Sequence, residues 1–117
     1  MRNMLLCMVA CLLASLAFAQ DPVKVDPKHY KIEKENDQVR VLRVHYGPHE
    51  KSVMHEHPSS VATFLNAGRV KFTYPDGKAE ERSWKAHDVM VTPAGTHLPE
   101  NLTAKPFDLV LVELKGK

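Results

Sequence analysis

The chain has 117 residues, 26% of them charged and 44% hydrophobic, with a formal charge of +2 at pH 7 when the histidines are neutral. That is the length of one domain, and its charges are interspersed without a basic block, which leaves no footing for nucleic acid or an anionic membrane surface. Both cysteines, Cys7 and Cys11, fall within the first nineteen residues. Past that point disulfides, thiol nucleophiles and thiolate metal sites are excluded.

Those nineteen residues, MRNMLLCMVACLLASLAFA, open with one cation, Arg2, run apolar from Met4 to Ala17 and end in Ala17-Phe18-Ala19. This is the pattern of a secretory signal cleaved after Ala19. A lipoprotein signal acylated at Cys11 is the weaker reading, because Met8 is a poor first residue for that box and apolar sequence continues beyond the cysteine. The expectation is an exported protein, periplasmic or extracellular, with no membrane association once the signal is removed.

Residues 20–37 are polar and charged, with Pro22 and Pro27, and read as an N-terminal arm able to contribute an edge strand around Tyr30 and Ile32. Residues 38–117 read as short strands separated by turn chemistry. VRVLRVHY (Val39 to Tyr46) is rich in β-branched residues and stops at Gly47-Pro48. RVKFTY (Arg69 to Tyr74) alternates, with Val70, Phe72 and Tyr74 on one face. Pro75-Asp76-Gly77 then turns the chain back into AEERSW, which makes a β-hairpin. DVMVT (Asp88 to Thr92) runs into Pro93-Ala94-Gly95. FDLVLVELK (Phe107 to Lys115) is apolar enough to be buried on both faces. No stretch of ten residues carries a helical period. The fold class is all-β, a small single-domain barrel or sandwich.

In VMHEHP, His55 and His57 are two apart and on a strand share one face, while Glu56 points the other way. Two imidazoles held this way can take one metal ion, although the pair alone is equally compatible with hydrogen-bonded histidines. PAGTHLPEN (Pro93 to Asn101) adds His97 at the start of a further strand, where it could complete a three-imidazole face. Among the other polar residues, Asn101 shares the face of His97 and is placed to pin a turn. Glu100 is a rim residue and the nearest carboxylate. His45 and His49 flank the Gly47-Pro48 turn, and His29 and His87 read as surface residues.

These two motifs in order resemble those of the cupins. Gly47, His55, His57 and Gly68 fill the places of the first motif, with two extra residues after Gly47. Pro93, Gly95, His97 and Asn101 fill those of the second. Through FTYPDG, PAGTH, PEN and VELK the chain also resembles a bacterial subgroup of small, mostly uncharacterised single-domain cupins of the type-2 kind. The resemblance covers about Val39 to Lys115. It implies a double-stranded β-helix, a jelly-roll-like barrel, with His55, His57 and His97 as ligands of a divalent ion: Fe, Mn, Ni or Zn.

Three departures stand out. The position of the family's glutamate ligand is Val61, the glycine opening the second motif is His87, and one residue is missing between Gly95 and His97. A slip of one inside a strand would turn His97 outward, whereas the preserved spacing to Asn101 places the slip in the turn.

The resemblance implies a metal-dependent enzyme on a small molecule, with dioxygenase-like chemistry first, since cupin-like thiol dioxygenases also use three histidines without the glutamate. No general base stands out, and His49 or Glu100 would be the first to test. The alternatives are a non-catalytic binder of a carbohydrate or organic acid, and a structural protein with vestigial histidines. Cupins are often dimers through strand exchange, and the Phe107–Leu114 strand allows a homodimer. Metal affinity is expected to fall as pH drops through roughly 6.5, the ordinary histidine value.

Overall fold

The computed structural model describes residues 20–116, and the signal-peptide expectation for residues 1–19 lies outside them. Among the described residues, one short helix, α1 (Pro22–Val25), precedes nine strands: β1 (Tyr30–Glu35), β2 (Val39–Tyr46), β3 (His55–His57), β4 (Ser60–Phe64), β5 (Gly68–Thr73), β6 (Ala79–Trp84), β7 (Val89–Thr92), β8 (Gly95–Asn101) and β9 (Phe107–Leu114). They form two antiparallel sheets, one in the order β1-β2-β9-β4-β7, the other β3-β8-β5-β6. No helix among the described residues is long and apolar enough to cross a membrane.

Alternation along the strands builds the core. In β2, Leu42, Val44 and Tyr46 are buried while Arg43 and His45 are exposed. From β9, Phe107, Leu109 and Leu111 join them, with Phe64 from β4, Val70 from β5 and Trp84 from β6. Shortening a side chain as enclosed as Leu42 to alanine costs about 2–5 kcal/mol. The β5–β6 hairpin forms where the sequence places it. Gly77 takes φ 85, and the Tyr74 amide donates to the Lys78 carbonyl at 2.8 Å. Gly68 has a different role: a Cβ there would stand 2.6 Å from the Trp84 indole, so its missing side chain lets the ring close the core.

The expectation that β9 is buried on both faces fails. Its residues alternate between buried and half-buried, because β9 lies between β2 and β4 with one face on the core and the other outward. Both of its edges are already paired, so it is not the free edge that strand exchange would use. Outward, Val41, Val112, Val61 and Val91 lie opposite one another in a row across four strands.

The arm is held against the barrel. Asp21 caps α1 by accepting the Val23 amide at 3.0 Å, with Pro22 opening the helix. The Gln20 carbonyl accepts the Glu56 amide at 2.9 Å, tying the arm to the strand that carries both paired histidines.

Candidate metal centre

β3 and β8 are antiparallel neighbours, and His55 and His97 lie opposite each other across the pair. His57, two residues on, projects to the same side as His55, so three imidazoles from two strands meet inside the barrel. One nitrogen of each lies within 4.8 Å of the others. The rings stand edge to face, with centroids 4.7 Å apart for His55–His57 and 5.1 Å for each pair with His97. His97 therefore faces inward, although β8 already begins at Gly95 and pairs with β3 in unbroken register from Gly95 to His97, so the missing residue is not absorbed in the turn.

The hydrogen bonds of the rings set their tautomers. His55 Nδ1 donates to the Val53 carbonyl at 2.8 Å, with the Ser52 hydroxyl a weaker neighbour at 3.3 Å. His57 Nδ1 donates to Glu113 Oε2 at 3.1 Å. With both Nδ1 atoms used as donors, the neutral rings present bare Nε2 lone pairs to each other, 3.0 Å apart. His97 Nε2 is buried with no hydrogen-bond partner. Two facing lone pairs repel unless a proton or a cation lies between them. A third buried ring nitrogen without a partner beside them favours a cation that all three can share.

Two of the rings, His55 and His97, are also kept neutral. Burial, and then the neighbouring His57, lowers the pKa of His55 to about 4. Burial lowers that of His97 to about 3, with His57 and His55 acting in the same direction. These two rings thus stay neutral well below pH 6.5, because the enclosed site penalises the charged form.

Behind the ligands lies a charged network that the strand pattern does not reveal. Glu113, on β9, accepts from His57 and from Arg40 Nε at 2.7 Å, and Arg40 reaches on to Asp21 of the arm at 2.8 and 2.9 Å. Burial opposes the ionised form of Glu113, yet the hydrogen bonds from His57 and Arg40 hold its pKa below the usual value. On the other side, Ser52 donates to Asp26, which accepts from His29 Nδ1 at 2.7 Å. His29 Nε2 lies 3.1 Å from Glu50, and its ring stacks on Tyr46. His29 is therefore buried rather than a surface residue. Asp21 and Asp26, five residues from one another in the arm, each connect to a different histidine.

The other residues singled out from sequence lie apart from the ligands. Asn101 is fully buried and pins loops: its amide donates to the Gly47 and Lys105 carbonyls at 2.9 and 2.8 Å, and its oxygen accepts the Thr103 amide. Glu100 pairs with Lys71 at 3.6 Å. His49 is exposed at a turn with φ 56. Val61 is on the outer face of β4, whereas its neighbours Ser60 and Ala62 point inward. The carboxylate closest in role to the missing ligand is Glu113, a residue hidden from sequence reading inside an apolar strand with only its charge to mark it.

In front of His57 and His97 opens a cavity of about 340 Å³, walled mostly by apolar side chains. Phe72 stacks on His97 at 4.6 Å, and Phe64 stacks on Trp84 at 4.1 Å.

Comparison with protein-family models gives no match, and comparison with curated proteins gives none. Solved structures do match. The chain is similar to a cupin domain from Bordetella pertussis Tohama I, with 20% identity and a TM-score of 0.69 over 74% of this chain and 92% of that one. It is also similar to a cupin-2 domain containing protein from Shewanella frigidimarina, with 16% identity and a TM-score of 0.52 over 91% and 92% of the two chains. An oxalate decarboxylase matches at 20% identity and a TM-score of 0.55, over 80% of this chain and 27% of that one. At these identities the likeness establishes the fold.

Proposed function

We propose that this chain with the cupin fold is an exported metal protein that acts on a small molecule, His55, His57 and His97 holding one divalent ion. The observation that carries the reading is the 3.0 Å approach of the His55 and His57 Nε2 atoms beside a third Nε2, of His97, that is buried and unpartnered. Export is supported by the signal-like sequence of residues 1–19. A bound ion of this kind supplies Lewis-acid polarisation of an oxygen donor or, where it is redox-active, a means to activate dioxygen.

The protein's own contribution is orientation and exclusion of water. Val53 and Glu113 fix the two paired rings so that each turns Nε2 inward, and the apolar walls keep the approach dry. Oxygenase-type chemistry fits such a site because it requires open ligand positions and a shielded substrate, without needing a strong side-chain base.

Non-catalytic binding is the second reading, and a specific observation favours it. Glu113 is engaged by His57 and Arg40. The two deep hydroxyls, Tyr30 and Tyr46, bond each other at 2.7 Å, and burial pushes both phenols above their ordinary pKa. Neither group is free to take a proton at neutral pH.

Elemental analysis of the purified protein beside a His55→Ala/His57→Ala variant tests the metal site. About one equivalent in the first and none in the second is expected. No metal in either, after reconstitution at pH 8, would sink the reading. Oxygen uptake by the iron-loaded protein across a panel of small acids and phenols then separates enzyme from binder.

A further inference from the structure

The cavity in front of the histidines selects for a chemical class. Its volume of about 340 Å³ is roughly twice that of an apolar cavity that admits benzene, about 150 Å³. One aromatic ring with a short substituent fits that space. The walls suit a ring: Phe64, Val70, Phe72, Trp84, Phe107 and Leu111 all line it. Trp84 spends its indole N–H on the Asn66 carbonyl at 2.9 Å. The hydroxyls of Tyr30 and Tyr46 satisfy each other, so the deep walls offer a hydroxyl-rich guest few partners, and its buried polar groups would go unpaired.

The histidine end asks for something else. His57 and His97 line the same cavity, and the cluster itself contains no carboxylate. The buried acids nearby are engaged elsewhere, Glu113 with His57 and Arg40, Asp26 with Ser52 and His29. A cation on three neutral imidazoles therefore leaves room for an anionic oxygen from the guest.

We propose that the ligand is a mono-aromatic oxyanion of the benzoate or phenolate class, its ring between Phe72 and Trp84 and its oxygen toward His57 and His97. The head-group half of this rests on the metal reading above; the ring half rests on the walls alone.

Trp84 is the chain's single tryptophan and lines the cavity, so its emission reports on occupancy. Metal content is measured first, and benzoate, toluene, oxalate and glucose are then titrated into zinc-loaded and metal-free protein. The loaded protein is expected to bind benzoate at least ten-fold more tightly than toluene, oxalate or glucose. The metal-free protein should reverse the first preference and favour toluene.

Ala62→Leu, which fills the cavity from β4, should weaken benzoate at least ten-fold with metal content unchanged. Met90→Phe provides the same test from β7 should the first variant fail to fold. Oxalate or glucose binding as tightly as benzoate to fully loaded protein would overturn the assignment. Failure to load metal would overturn the head-group half together with the metal reading. Failure of toluene to perturb Trp84 in the metal-free protein would overturn the ring half independently.

Discussion

Behind His55 and His57 the barrel is closed by charged side chains, each hydrogen-bonded to the next, from Asp21 and Asp26 in the arm to the ligands themselves. In front of His97 it opens into a cavity where the walls are aromatic and aliphatic and the ligand nitrogen has no partner. The contrast separates two tasks. Orienting a ring and fixing its tautomer requires directional bonds, which the rear network provides. Receiving a guest requires dry surface that makes no prior claim on it. A site wired on both sides would be rigid but occupied by its own side chains.

Variants on the two sides should therefore fail differently. The largest effect is expected from Glu113→Ala at the rear. It removes one of the two carboxylates on the partly buried Arg40, leaving Asp21 as the other, for a loss of about 1.5–3 kcal/mol of stability. It also frees His57, weakening metal binding about 10–100-fold. Denaturant unfolding of the metal-free protein and a metal titration measure the two, and Glu113→Gln, which keeps an acceptor for His57, should recover part of the affinity.

Acid acts on the ligand rings directly. His55 and His97 have pKa values below the unfolded 6.5, at about 4 and about 3. The unfolded chain thus binds more protons between those values. Stability of the metal-free protein is fully present above pH 6.5 and falls as pH is lowered toward 4, by up to about 1.4 kcal/mol per pH unit for each group. Midpoints of urea unfolding between pH 7.5 and 4.5 give the slope, and a flat profile would remove the claim that the two rings are held neutral.

Asp26→Asn should cost about 1–3 kcal/mol by weakening the charge-assisted bonds to His29 and Ser52. Its effect on metal affinity should be smaller than that of Glu113→Ala, because Ser52 is only a weak neighbour of His55. At the front, Phe72→Ala should leave metal affinity within a few-fold of the parent while weakening aromatic ligands at least ten-fold. If it instead abolished metal binding, the division between the two sides would collapse. The smallest effect is expected on the outer face, where Val91→Lys, at a side chain 77% exposed, should change stability by no more than about 0.5 kcal/mol.

Much of the front was legible in the sequence and little of the rear. His55 and His57 announce themselves because a two-residue spacing on a strand is also a spatial relation. His97 follows from a turn that begins a new strand. The alternation of Val70 and Phe72 places aromatic wall beside them. Glu113 and Arg40 meet His57 only because β9 and β2 pair in one register, Arg40 opposite Glu113, and no local pattern encodes a partner seventy-three residues away. Asp26 and His29 were hidden for another reason. In a polar, proline-bearing arm they look solvated, and only the docking of that arm buries them. Val61 marks the reverse error: linear motif spacing assigned it to the site, while the pleat of β4 turns it to the valine row outside.

Three imidazole nitrogens converge on a place suited to one shared cation. Calorimetric unfolding of the metal-free protein with and without zinc, beside the His55→Ala/His57→Ala variant, addresses it most directly. Zinc at a hundred times its dissociation constant should stabilise the parent by about 2.7 kcal/mol and leave the variant unmoved. An unchanged parent midpoint, or the same shift in the variant, would contradict it.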